Sequence, residues 1–309
     1  IVLEEYKHGL SENESSDSVN SPFILPVTGI SQQHLGGMAK TLSNICRTRS
    51  TEVIKKMAPV LALHRTHHKC RKVFFGSSKE KLLENLQINF KTHDSIPQNR
   101  QRIAFVFSGQ GTDYPRMGNV LFKTSKKFKE SVIKCHQYLH KTYSIDLIPT
   151  YEDQNGGKIE RNTLNSQIKI FTLQYGLGEV FKSWGIKPDF VLGHSLGEYT
   201  AALNAGIIQL QDALDLIVAR GSLMLKVQEN TGMLNVHANL NKIKAIAKTE
   251  KYEVACINNE QNYVIAGTNS DLSKIKERLE NNGVYCKMLD IPLACHTSYL
   301  TETAQLFKG

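Results

Sequence analysis

The sequence predicts an α/β protein: a parallel-sheet core, a βαββαβ subdomain of ferredoxin-like order inserted in it, and a small α/β unit in front. Two observations carry this. RIAFVFSGQG and DFVLGHS are strands apolar on consecutive residues, each running into glycines, with helical patterns between them. Consecutive apolar residues suit strands buried on both faces of a parallel sheet. Beyond Gln228, MLNVHA, LNKIKAIAKT, YEVACINN, NYVIAGT, DLSKIKERLENNG and VYCKMLDI then alternate as strand, helix, strand, strand, helix, strand, placing the subdomain at about 232–292.

In chain order, residues 1–20 end in the polar run SENESSDSVNS, which has too little apolar surface to build a core and reads as a connection. Residues 21–100 form the small unit. FILPVTG is a short strand, Ser31 opens an amphipathic helix through Leu35, Met38, Leu42 and Ile45, and a second helix covers Thr51 to Leu63. RKVFFGS returns as a strand, and SKEKLLENLQ is a helix with a serine cap. The polar stretch Thr92–Arg100 closes the unit, and residues 101–309 make the larger one. There, helices are expected around Phe122–Tyr143, from near Asn165 to SWGIKP, and as one long region from Glu198 to Gln228.

The composition, 40% apolar and 22% charged, is that of a globular protein, and the chain contains neither a membrane-length apolar run nor a signal pattern, which points to the cytoplasm. Six cysteines stand without close pairing and are expected as free thiols. A net charge of +9 without a helix-turn-helix, zinc-finger or aromatic RNA-binding signature argues against nucleic acid and fits an acidic protein partner or a phosphate-bearing coenzyme A thioester. His64, His67, His68 and Cys70 are metal-ligand types, but Arg65, Lys69 and Arg71 among them would repel a cation, so no metal is expected.

The chemistry-bearing residues begin with Gly193-His194-Ser195-Leu196-Gly197, a GxSxG between a buried strand and a helix. In that context the serine sits on a sharp turn that exposes its hydroxyl, and the helix amino end offers backbone N–H groups to a developing oxyanion. A serine hydroxyl needs a base within hydrogen-bond reach, and an imidazole suits that task.

GHSLGEYTAA, together with FVFSGQG (Phe105–Gly111), resembles the malonyl-CoA:acyl carrier protein transacylase family and its relatives inside polyketide synthases. The resemblance implies a hydrolase-like acyltransferase core with Ser195 as nucleophile and His296, in PLACHTSYL, as catalytic base, oriented by a backbone carbonyl. It implies an oxyanion hole from the N–H groups of Gln110 and Leu196, with Ser108 where the family usually has proline. Arg220, in VARGSLM, matches the arginine that binds a free malonyl carboxylate; Gln167, Asn258, His194 and Cys295 complete the implied substrate-binding set. PFILPVTG, LALHRTHHKCRKVFFGSSKEKLLENL and IVLEEY resemble a ketosynthase-to-acyltransferase linker and a ketosynthase tail, implying a ketosynthase domain in the same polypeptide and a C-terminal truncation. No bound cofactor is implied: malonyl-CoA is substrate, and the acceptor is phosphopantetheine on an acyl carrier protein. GHSLG favours malonyl over methylmalonyl, whereas Leu293-Ala294-Cys295-His296 matches neither pattern. Two rival readings, an α/β-hydrolase using Asp212, Asp215, Asp271 or Asp290 and a patatin-like esterase, leave GQG, Arg220 and the subdomain unexplained; a third is a truncated, inactive fragment that serves only as a docking or linker piece.

Overall fold

A computed structural model describes residues 22–87, 101–152, 162–227 and 230–308, so the expected ketosynthase tail and the polar stretch Thr92–Arg100 lie outside the described residues. Two compact units divide at Gln101/Arg102.

In the first unit, β1 (Phe23–Gly29) pairs antiparallel with β2 (Cys70–Gly76), and α1 (Gln32–Thr48), α2 (Thr51–Leu63) and α3 (Lys79–Gln87) complete it. Alternation sorts the strands: Phe23, Leu25, Val27 and Phe74 are buried with Leu35, Leu42 and Ile54, while Ile24, Val73 and Phe75 point the other way and are exposed. Ser31 and Ser50 cap α1 and α2 through their hydroxyls. Among the described residues no His/Cys/Asp/Glu group is clustered to hold a metal ion, and the His67 ring bonds the Ala62 carbonyl instead.

The second unit has a helical core. β3 (Ala104–Phe107) runs parallel to β4 (Phe190–Gly193), with α4 (Asn119–Thr124), α5 (Lys126–Tyr143), α6 (Ile148–Glu152) and α7 (Thr163–Ser183) between them in sequence, then α8 (Gly197–Asn204) and α9 (Leu210–Leu225). Helix α7 packs against α5 and α9, and its buried residues, Ile168, Ile170, Phe171 and Val180 together with the polar Gln167, Thr172 and Gln174, lie on most of its faces, as befits a central helix.

Two expected helices are broken. Ser125 is extended and caps α5 by accepting from the Phe128 N–H, which separates α4 from α5. The run from Glu198 divides after Asn204, where Gly206 takes a φ of 75°, and its second helix spans Leu210–Leu225, the expected end at Gln228 lying outside the described residues. The strands also depart from expectation: one face of β3 and β4 is exposed at Val106, Phe190 and Leu192, because the packed helices of the described residues, α8 among them, cover the other. No helix of the described residues is long and apolar enough to cross a membrane.

The inserted subdomain is β5 (Thr231–Val236), α10 (Leu240–Ile246), β6 (Glu253–Asn259), β7 (Asn262–Thr268), α11 (Asn269–Asn281) and β8 (Cys286–Met288). Its antiparallel order β6-β7-β5-β8 is that of a ferredoxin-like sheet, and Leu234, Val236, Ile265, Ile275 and Leu279 form its core. The chain leaves β8 through Ile291–Cys295, passes a short 3₁₀ turn and ends in α12 (Thr301–Lys308). The fold class is thus the expected one.

Candidate active site

Ser195 lies between β4 and α8 with a φ of 53°, a left-handed conformation that a non-glycine residue adopts only when its surroundings impose it. The flanking glycines show why they cannot be replaced. A Cβ on Gly197 would strike the Phe107 carbonyl oxygen, and one on Gly193 would strike the Glu198 backbone. The turn is therefore so tight that the strand carboxyl end and the first helical turn touch. Gly109 is part of the same packing: its Cβ would meet the His194 carbonyl oxygen at 2.9 Å. The loop after β3 thus runs directly against the serine turn.

His296 comes from the segment that follows β8. Its Nε2 is 2.7 Å from Ser195 Oγ, although 101 residues separate the two. Its φ of 60° is also left-handed. The loop that carries it is pinned on both sides. The Ala294 N–H donates to Thr231 Oγ1 at 3.0 Å, Thr297 Oγ1 donates to the Ala294 carbonyl at 2.6 Å, and the Ser298 N–H donates to Glu253 at 2.8 Å. Ser298 Oγ donates to the other Glu253 oxygen. These bonds hold the Glu253 carboxyl below the usual carboxylate range.

Burial, then the Arg220 and His194 charges, keep the His296 imidazole below its ordinary pKa. A neutral imidazole at neutral pH can accept the serine proton, so the pair has the geometry of a nucleophile with its base. Cys295, beside it, is buried, and burial pushes its thiol up to about 11. It behaves as a small apolar wall residue rather than as a rival nucleophile.

Arg220 is half-buried on α9 and lines two cavities. One, of about 430 Å³, also contains Ser195, Glu198, Tyr199 and His296. The other, of about 450 Å³, contains Tyr199, Met224, Cys295 and His296 and extends to Ala304 and Phe307 of α12. The Arg220 Nη1 nitrogen is buried and has no hydrogen-bond partner among the described residues. A desolvated guanidinium donor beside a serine nucleophile is arranged for an anionic group that is brought in from outside.

Gln110 follows Gly109 in the loop, and its Oε1 accepts from Gln167 Nε2 at 3.2 Å. Gln167 is fully buried on α7, and its Nε2 also contacts Met224 Sδ at 3.3 Å. Leu196 is buried and opens α8, so its N–H belongs to the first turn, where no intrahelical acceptor exists.

A scan of family models matches residues 104–307 to the acyl transferase domain. The chain belongs to the acyl transferase domain family. It is 30% identical to orsellinic acid synthase armB of Armillaria mellea over 99% of its length, and 30% identical to the non-reducing polyketide synthase VdtA of Byssochlamys spectabilis over its whole length. It spans 14% of each of those relatives. The fold is also that of the acyl transferase domain of ZmaA, with a TM-score of 0.79 at 22% identity over 95% of this chain and 69% of that one. The acyltransferase domain from module 8 of the salinomycin polyketide synthase superposes with a TM-score of 0.76 at 23% identity, over 93% and 70%.

As an acyl transferase domain, the chain brings together Ser195, His296, Arg220 and Cys295, with Gln110 and Gln167 linked beside them and His194 exposed within the serine turn. Asn258 is placed elsewhere. It is exposed near the end of β6, where its Nδ2 donates to Asn262 at 2.9 Å, and it lines neither cavity. Three of the hydrolase acids are engaged elsewhere: the Asp212 carboxylate accepts from the Gln209 N–H in capping α9, the Asp271 carboxylate accepts from Thr268 Oγ1 at the start of α11, and Asp215 accepts from both Tyr138 and Tyr143.

Sequence reasoning missed the buried Gln174, which ties the Gln110 loop to α8. The signal was available. Gln167 and Gln174 stand seven residues apart on one face of a helix that is otherwise apolar there, and buried amides in such a place must have partners.

Proposed function

We propose that this domain transfers a malonyl group from coenzyme A, through an acyl-enzyme on Ser195, to the phosphopantetheine thiol of an acyl carrier protein. The observation that carries the malonyl reading is the buried, unpartnered Nη1 of Arg220 in the cavities that hold Ser195 and His296. A malonyl thioester is a thioester with a free carboxylate, and a planar guanidinium accepts a carboxylate in two parallel hydrogen bonds.

In the forward half, Ser195 Oγ attacks the thioester carbonyl while His296 Nε2 takes its proton. The carbonyl oxygen becomes an oxyanion facing the N–H groups of Gln110 and Leu196. The C–S bond breaks, and His296 returns the proton to the coenzyme A thiolate. In the second half, the phosphopantetheine thiol gives its proton to His296 and attacks the acyl ester, and Ser195 leaves with that proton. Cys295 shapes the wall beside the acyl α-carbon, with His194 at the edge of the serine turn and the Leu196 side chain buried in the core behind it. Asn258, on its hairpin, has a role only for the part of the substrate that reaches beyond the cavities.

The polyketide synthase relatives and the small front unit support a place between a ketosynthase and the remainder of a multidomain synthase, the front unit being the linker. Intact-mass measurement after incubation with an equal mixture of malonyl-CoA and methylmalonyl-CoA tests the proposal. A malonyl adduct that Ser195→Ala abolishes is expected. An adduct that survives in Ser195→Ala removes the assignment, and predominant methylmalonyl loading overturns the choice of acyl group, a difference worth only about 1–3 kcal/mol.

A further inference from the structure

The two backbone donors of the oxyanion hole come from segments far apart in sequence, the loop after β3 and the first turn of α8. Backbone contacts join them at the base, where the His194 N–H donates to the Phe107 carbonyl at 2.9 Å, and beyond Phe107 the loop is held by side chains as well. One side chain ties the two segments directly. Gln174, 8% exposed on α7, donates from Nε2 to the Ser108 carbonyl at 2.8 Å and to Ser108 Oγ at 3.2 Å. Its Oε1 accepts from Thr200 Oγ1 of α8 at 2.8 Å, and Thr200 is fully buried. The loop is braced further from within, where Thr112 Oγ1 donates to the Gly109 carbonyl at 2.9 Å and lies 3.1 Å from Ser108 Oγ.

The chemistry of the amide explains the choice of residue. A side chain with a donor and an acceptor on one rigid plane can bind a carbonyl on one segment and a hydroxyl on the other at a fixed separation. Leucine or methionine of similar size would leave the Thr200 hydroxyl and Ser108 carbonyl unpaired, and glutamate would offer the carbonyl an acceptor instead of a donor. Ser108 fits the same arrangement, since its hydroxyl shares both the Gln174 amide and the Thr112 hydroxyl.

We propose that Gln174 is a positioning residue for acyl transfer: with Thr200 and Ser108 it forms a clamp that sets the separation of the Gln110 and Leu196 N–H groups. The proposal rests on the acyl-transfer reading of the site. Oxyanion stabilisation requires donors within a few tenths of an ångström of their place, whereas substrate binding tolerates more, so the clamp acts on kcat and not on KM.

The test compares the chain with Gln174→Met, Thr200→Val and the double variant. Gln174→Met is expected to lower kcat for malonyl transfer on the order of 10- to 100-fold, short of the loss when an oxyanion donor is itself removed, with KM within about twofold. Thr200→Val should lower kcat less, and the double variant should be no slower than Gln174→Met, because both cut one connection. Amide exchange of residues 108–112, measured without substrate, should quicken in Gln174→Met. Should Gln174→Met fail to fold, Gln174→Glu keeps the acceptor for Thr200, loses the donor to Ser108, and gives the same comparison. An unchanged kcat, multiplicative losses in the double variant, or unaltered exchange in the loop overturns the clamp. A wild-type chain that never loads Ser195 overturns the acyl-transfer reading instead, and the exchange measurement then decides the clamp alone.

Discussion

Ser195 and His296, the proposed catalytic pair, are held in different ways. Ser195 is set by backbone pressed on backbone: Gly193, Gly197 and Gly109 each lie where an added Cβ would collide with main-chain atoms. His296 is set by hydrogen bonds that its loop, which leaves the inserted subdomain, donates to the Thr231 and Glu253 side chains of that subdomain. Steric contact is all or nothing in a close-packed interior, whereas the Ser298–Glu253 bonds are exposed, are each worth about 1 kcal/mol and can be exchanged for water. The nucleophile is therefore rigid by construction, and the base is adjustable.

The largest expected effect attacks the rigid side. Gly197→Ala drives a methyl group into the Phe107 carbonyl and should cost about 3 kcal/mol of stability together with loss of detectable acyl-enzyme, read by chemical denaturation and intact mass. Retention of loading would show that the turn has slack and would erase the contrast.

Arg220→Ala comes next and touches both halves. Removing the carboxylate partner should cost malonyl loading about 2–4 kcal/mol while sparing acetyl loading. It should also move the pH profile. His296 must be neutral to act, and its depressed pKa places the acidic limb of the loading rate below the ordinary imidazole value, with activity lost as pH falls through it. Burial, the largest cause of the depression, remains in the variant, but the guanidinium repulsion does not, so the limb should shift upward. Equal losses for malonyl and acetyl, or a stationary limb, would show that Arg220 acts neither on the acyl carboxylate nor on the base.

The smallest effect tests the adjustable side. Glu253→Gln keeps one acceptor for Ser298 and loses the charge, and about a two- to tenfold drop in kcat with unchanged thermal stability is expected for an exposed contact of this kind. The wild-type contact should hold at neutral pH and weaken as pH falls through the depressed Glu253 pKa, since the carboxylate is the form that Ser298 binds. A loss as large as that of Gly197→Ala would mean that the two halves are equally rigid.

The same contrast explains what could be read from the sequence. Backbone-determined features leave local marks: glycines at a strand-to-helix turn, serine caps before Leu35 and Val53, and the period-2 and period-3.6 patterns of the ferredoxin-like subdomain all announce themselves within a few residues. Ser195 and the βαββαβ order were legible for that reason, and His296 and Arg220 through resemblance to a known family. Features decided by tertiary partners leave no such mark. The break at Gly206 lies inside an otherwise continuous helical pattern, and the Asn258 side chain turns to Asn262 across a hairpin rather than toward the cavities. The apolar runs of β3 and β4 implied two covered faces, yet composition alone cannot say which neighbours lie on each. Glu253 looks like any strand glutamate until Ser298 is seen against it.

Ser195 and His296 share a backbone conformation that favours glycine, at a cost of order 1–3 kcal/mol for each side chain placed there. Chemistry and durability therefore pull in opposite directions at the two positions that matter most. In a lineage selected only to keep its shape, as when a duplicated module loses its task but remains within a larger assembly, glycine at 195 or 296 would be favoured twice, once by relaxed demand and once by added stability. Catalytic decay in such a domain would begin at its centre and leave the surrounding fold intact.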